Sequence, residues 1–187
     1  MEIRAVGGKA QAISADIVAA EGPHELARRA REIVGERLDV LVVNTGATKP
    51  TAIEDATVEQ LDSKLAAQIR APFFLIQQLL PILGCSSSII FTAPAATPAS
   101  PDAVPEFAPS RGAIENLVSH FAPLLSPRGI RVNAIAPLVI DTGTAAATNV
   151  STRRARQQQF RGIGEVITFL ASNEAGPITG RTLQIES

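Results

Sequence analysis

Tyrosine and tryptophan are absent from this 187-residue chain, and phenylalanine alone supplies its aromatic content of 4%. The first absence excludes a phenol as proton donor or acceptor anywhere in the sequence. The one cysteine, Cys85, excludes an intrachain disulfide and a cysteine-rich metal site. It reads as a small apolar filler after a helix, in a reducing, cytoplasmic setting. The two histidines, His24 and His120, are far apart and form no ligand motif. His24 reads as an exposed residue of a helix's first turn, and His120 as a surface or interface residue. No apolar run reaches the roughly 20 residues of a membrane span, and the amino terminus shows no signal-peptide pattern. A formal net charge of −1 removes the electrostatic case for a nucleic-acid or anionic-membrane partner.

What is present suits one domain over residues 1–187 with a sizeable core, since 45% of the residues are hydrophobic and 19% charged. The chain opens with the tail of a helix ending at Gly7-Gly8. Lys9 to Asp16 alternates and reads as a strand. Glu25 to Val34 places Leu26, Ala30, Ile33 and Val34 on one helical face. Leu38 to Asn44 is a short, apolar, β-branched run of the kind found in a buried parallel strand. Val58 to Leu83 reads as a long helix, kinked or restarted at Pro72. Further strands are expected at Ser88–Thr92, Gly129–Pro137 and Arg181–Ile185, with helices after Phe107 and over Gly164–Asn173. Residues 138–159 show no strong period and read as a mobile segment. Arg153, Arg154 and Arg156 within it read as a solvated helix face or an anion site. Alternating strands and helices argue α/β with a parallel sheet and right-handed crossovers.

The stretch Pro105-Glu106-Phe107-Ala108-Pro109-Ser110-Arg111-Gly112-Ala113 closely resembles the active-site helix start of the short-chain dehydrogenase/reductase family, written Tyr-x-x-x-Lys. Phe107 stands at the tyrosine and Arg111 at the lysine. Other segments agree in order. Gly7 to Ile17 resembles the family's third strand. Leu38 to Gly46 resembles the strand ending in Asn-Asn-Ala-Gly, and Arg131 to Pro137 the Val-Asn-x-x-x-Pro-Gly strand. Phe169-Leu170-Ala171-Ser172 and Ile178-Thr179-Gly180 resemble the closing helix and turn. The resemblance implies an α/β fold, a truncated Rossmann-like parallel sheet with helices on both faces.

The family's chemistry uses that tyrosine as proton donor, a serine on the substrate oxygen and an asparagine that holds a water. Counting back from Phe107 puts Pro94 at the serine, and Gln68 falls at the asparagine. Leu138 replaces the glycine after Pro137, where its side chain would crowd a nicotinamide ring. The glycine-rich strand–turn–helix that anchors a pyrophosphate is not found, because the chain opens at about the third strand. Gly162-x-Gly164 follows no strand and reads as a helix-entry turn. The expectation is therefore that NAD(P) does not bind in the family's manner and that no cofactor is used.

The expected ligand cleft lies at the carboxyl ends of the strands. Arg111, Glu106 and Asp141 are the candidate catalytic residues. The cation would hold an oxyanion or enolate, and either carboxylate would move a proton. Phe107, Thr92, Pro94, Asn44, Gln68, Leu138 and Thr142 are the candidate substrate contacts. The plainer alternatives are solvated loop carboxylates, a helix-start salt bridge for Arg111 and core packing for Phe107. The expected function is a cofactor-independent protein, either a non-redox isomerase, dehydratase or cyclase or a binder of a small organic molecule. The alternatives are a catalytically dead partner of an intact homologue, and an NAD(P)-dependent oxidoreductase with an altered site. The Lys9–Asp16 strand would lack its family neighbours, so it would slide beside Leu38–Asn44 or pair with another subunit, and a homo-oligomer is expected.

Overall fold

A computed structural model of the protein describes residues 2–45, 53–93, 107–137 and 150–185. Four strands form one parallel sheet in the order β1-β2-β3-β4: β1 (Leu38–Val43), β2 (Leu83–Thr92), β3 (Arg131–Pro137) and β4 (Thr182–Ile185). Spatial order follows chain order, so each crossover carries a helix from the carboxyl end of one strand to the amino end of the next. The helices are α1 (Glu2–Ala5), α2 (Gly22–Val34), α3 (Val58–Leu65), α4 (Ala71–Leu79), α5 (Phe107–Leu125) and α6 (Val150–Ala171). The α/β class and the helices on both faces are as the pattern implied.

Side-chain alternation along the strands divides the core in two. Ile89 and Phe91 of β2, with Val132, Ala134 and Ala136 of β3, meet α4 and α5 on one face through Ile76, Leu79, Ile114 and Val118. Ala27 of α2 joins them. Ile90, Ile135 and Leu183 face the other way and meet α6 through Val166, Ile167 and Leu170. On that second face polar residues are buried as well. Arg131 donates from Nη1 to the Leu170 carbonyl at 2.7 Å and the Ala175 carbonyl at 3.3 Å, and from Nη2 to the Ser172 carbonyl at 3.0 Å. The carbonyls that α6 leaves unpaired at its carboxyl end are thus served by a cation. Burial lowers the Arg131 pKa from its ordinary value. Asn133 donates to the Ile178 carbonyl and accepts from the Arg181 N–H.

Several expectations are corrected. Residues 9–16 form no strand. No neighbouring strand flanks them, and side chains serve some of their carbonyls instead: Arg4 donates to Ala10, and Arg29 to Ser14 at 2.8 Å. Residues 9–16 do not slide in beside β1, which is an edge of the sheet among the described residues. The long helix is broken one turn before Pro72, where Ala66–Arg70 forms a π-helical turn, and the closing Leu80–Ile82 turn is 3-10. The expected strand at Ser88 starts earlier, at Leu83, through a bulge. The pairing Leu38↔Leu83 is followed by Val40↔Ser88, so β2 carries extra residues there, with Ser86 at φ 73°. Cys85 sits in that bulge and is exposed, not a filler. Gly129, at φ +70°, lies against it, and a Cβ there would come within 3.3 Å of the Cys85 Cα. Finally, α6 begins at Val150, so the second half of the expected aperiodic segment is helical, while residues 138–149 lie outside the described residues.

Candidate active site

Three of the helices and two of the strands converge where the sheet ends. Because every crossover is parallel, the start of α5 and the first half of the α3–α4 connection lie on the carboxyl side of β1 and β2. There the Thr92 hydroxyl lies 2.7 Å from Asn44 Oδ1 and 3.3 Å from the Val43 carbonyl. Its single proton goes to the nearer oxygen. The bond locks the end of β1 to the end of β2 and leaves the Asn44 amide N–H groups as donors on the open edge, since Asn44 is exposed. These two predicted contacts are brought together.

Arg111 lies in the second turn of α5. Its Nε donates to Glu115 Oε1 at 3.0 Å, an i,i+4 pair with side-chain exposures of 17% and 41%. The helix-start salt bridge was the plainer reading of Arg111, and the structure contains it. The pair does not use the whole guanidinium, because Arg111 Nη1 is buried without a hydrogen-bond partner.

Gln68 lies inside the π-turn and is 3% exposed, with Oε1 also lacking a partner. The turn has a local cause. The Ala71 N–H donates to the Ala66 carbonyl, five residues back. The next residue, Pro72, has no N–H to give either Gln68 or Ala67. An inserted residue of this kind rotates the side chains that follow it, which is why such turns recur at functional sites. α5 packs on this turn. Arg70, at its end, donates to the Val18 carbonyl and ties down the turn that follows residues 9–16.

Phe107 starts α5. Glu106, Pro94, Leu138, Asp141 and Thr142 lie outside the described residues. The side chains of Arg153, Arg154 and Arg156 do so too, although their backbone is helical. The histidines stay away from this edge. His24 is partly buried, not exposed as expected, with its ring 5.7 Å from that of Phe74. His120 is exposed and bonds the Asn116 carbonyl. Sequence reasoning did not single out Glu115, whose i,i+4 spacing from Arg111 was a readable signal. It also passed over Lys64, which is 6% exposed on α3 and carries no signal in its neighbourhood that sets it apart from a surface lysine. No group of three or more metal-binding side chains occurs among the described residues.

Comparison with known proteins agrees with this geometry. The family model described as enoyl-(acyl carrier protein) reductase matches residues 2–187. An uncharacterized oxidoreductase of Methylorubrum extorquens is 31% identical over 97% of this chain and 77% of its own length. The short-chain dehydrogenase/reductase FrzI of a Cladobotryum species is 31% identical, over 78% of this chain and 56% of its own length. Among solved structures, the angucycline C-6 ketoreductase LanV with bound NADP superposes with a TM-score of 0.82 at 31% identity, covering 98% of this chain and 77% of that one. The chain therefore spans between about half and three-quarters of the lengths of these proteins.

These relatives overturn the expectation of a non-redox, cofactor-independent protein. They are named as oxidoreductases, and one of them holds NADP. That expectation rested on the altered positions Phe107, Arg111, Pro94, Gln68 and Leu138 in the sequence. A changed proton donor alters one step of a reaction and leaves the fold intact, and open α/β folds take their ligands at the carboxyl edge of the sheet. By sequence, by model and by superposition, the chain belongs to the short-chain dehydrogenase/reductase family.

Proposed function

We propose that the protein is an NAD(P)-dependent oxidoreductase with an altered proton-transfer site, acting at a carbonyl or alcohol carbon of a small organic molecule. The observation that carries this reading is the likeness to oxidoreductases over nearly the whole chain, together with an open, polar carboxyl edge at the matching place. The residues present fit the nicotinamide end of a dinucleotide. Asn44 offers exposed amide donors at the open edge, which suit the hydroxyls and carboxamide there. A bound nicotinamide would supply or accept the hydride. The chain's own part is to orient the substrate oxygen beside Arg111, whose charge favours a developing alkoxide. Saturable binding of NADPH or NADH to the full-length protein, read by nucleotide fluorescence, is the expected outcome. No binding of either at millimolar nucleotide refutes the proposal.

The reading extends to one domain over residues 1–187, to a cytoplasmic setting and to a homo-oligomer. No helix among the described residues is long and apolar enough to cross a membrane. Self-association is supported by apolar side chains that α3 and α4 leave outside the core: Val58 at 71%, Leu61 at 45% and Phe73 at 40% exposure. A strictly monomeric mass by sedimentation equilibrium at micromolar concentration rules the oligomer out.

A further inference from the structure

We infer that the groove between α2 and the end of α4 binds a short zwitterionic peptide, its carboxylate toward Arg31 and its ammonium toward Glu36. This is a second site, and it does not depend on the oxidoreductase reading above.

A cavity of about 640 Å³ opens between these helices, a volume in the range of small-molecule sites. It runs along α2 from His24 in the first turn to Gly35 at the C-cap, roughly 16 Å at the rise of an α-helix. Gly35 comes just before β1, and Ile82 on the facing wall comes just before β2. The groove therefore reaches toward the amino ends of the strands, whereas Asn44 and Thr92 lie at their carboxyl ends. Its floor is apolar and sealed, with Ala27 at 1% and Ile82 at 6% exposure.

The walls are charged and sorted by sign. Along α2 come His24, Arg28 and Arg31 first, and only then Glu32 and Glu36. Arg28 is committed, to Glu25 at 2.7 Å and to Glu32 at 2.5 Å. What remains is a separated pair. Arg31 and Glu36 line the same cavity, yet among the described residues neither forms an ion pair, with the other or with anything else. Carbonyls at the carboxyl end of α2 add negative potential beside Glu36. At the opposite end His24 Nδ1 is buried without a hydrogen-bond partner, and Glu21 stays 3.8 Å from it, too long for a hydrogen bond.

A ligand that fits carries both signs, at opposite ends. A simple anion would meet Glu32 and Glu36, and a simple cation would meet Arg28 and Arg31, so each is repelled by half of the groove. Between the ends, Gln78 adds an amide to the lining. An amide both donates and accepts, which matches a peptide group. The positive and negative halves are centred about 10 Å apart along α2, close to the length of an extended tripeptide. The flat apolar floor at Ala27 suits small side chains on that peptide.

Trialanine titrated into the full-length protein at low salt is expected to shift the NMR signals of the Gly35 backbone amide and the Gln78 side-chain amide, with saturation at millimolar peptide. Arg31→Gln and Glu36→Gln, both at exposed positions, are each expected to weaken binding about fivefold, the scale of one exposed ion pair. N-acetyl-trialanine is expected to bind the wild type as weakly as trialanine binds Glu36→Gln, and to lose nothing more in that variant. This arm separates a free peptide from the carboxyl terminus of a longer chain, which brings no ammonium. Equal binding of the free and acetylated peptides overturns the proposal. Shifts confined to Asn44 and Thr92, unchanged affinity in both variants, or no shift at all overturn it as well. No nucleotide enters this titration, so its result and the NADPH binding test are decided separately.

Discussion

The two faces of the sheet are held in different ways. The face toward α2, α4 and α5 is packed from apolar side chains, with Phe91, Ile89, Val132 and Ile114 essentially sealed. The face toward α6 has a much smaller apolar cluster and relies on directed bonds from Arg131, Asn133 and Ser88, the last donating to the Leu170 carbonyl at 2.9 Å. Apolar packing is non-directional and grows with area. Buried hydrogen bonds fix one register and are costly when a partner is removed. The difference also shows at β1. Val43 points into the first core and is 6% exposed, whereas its neighbour Val42 points to the other side and is 40% exposed. The second face is therefore chiefly a clamp on β2, β3 and β4, which β1 joins only through the partly buried Val40.

Substitutions on each face separate these two modes. The largest effect is expected from Phe91→Ala, which opens a cavity in the first core and costs about 3–5 kcal/mol, read as a lower urea midpoint. A loss under about 1 kcal/mol would mean that this face relaxes and is not close-packed. Next comes Arg131→Met, which keeps the aliphatic bulk but removes three hydrogen bonds to the carbonyls of Leu170, Ser172 and Ala175 and leaves that of Ser172 without this donor, for a loss of about 3 kcal/mol. An unmoved midpoint would show that the apolar stripe of α6, not the arginine, holds the second face. A smaller effect belongs to neither face. Thr57 accepts from the Gln60 N–H and Gln60 bonds back to the Thr57 N–H, a capping box at the start of α3, so Thr57→Ala should cost about 1 kcal/mol. A loss as large as that of Phe91→Ala would break the view that stability is concentrated in the sheet.

The smallest effect is a pH dependence on the outer surface of α2. Hydrogen bonding to Arg28 lowers the Glu25 pKa below its ordinary value, and Arg28 is raised by the same contact. The native form holds its proton less tightly than the unfolded chain does. The contribution is therefore present above the unfolded pKa and fades as pH falls through the native one. Both groups face solvent, so the expected change in thermal midpoint is slight and vanishes at high salt. A Glu25→Gln variant with an unaltered acid limb at low salt would remove this pair from the account.

The sequence made the sheet legible for a physical reason. Leu38–Val43, Ser88–Thr92 and Arg131–Pro137 are apolar and β-branched enough to be buried on both sides, and the residues of each run alternate between the two cores without needing distant context. Lys9–Asp16 misled because alternation describes a strand's faces and says nothing of its edges, where pairing is decided. Gln68 was found as a position, but its burial and unpaired oxygen were not foreseeable, since they follow from a π-turn that Pro72 induces one turn earlier in the chain. For Arg111, the helix-start salt bridge to Glu115 is present and Nη1 is left without a partner, a division that only three-dimensional placement makes.

By itself, the order of short apolar runs, glycine turns and helical periods determined the α/β class, the family and the absence of a tyrosine at Phe107, because all of these are local properties of the chain. The tertiary structure decided which polar atoms go without partners. Satisfaction of Gln68 Oε1 or Arg111 Nη1 depends on what α5 and the π-turn bring together across more than forty residues of sequence, and no local pattern encodes that meeting.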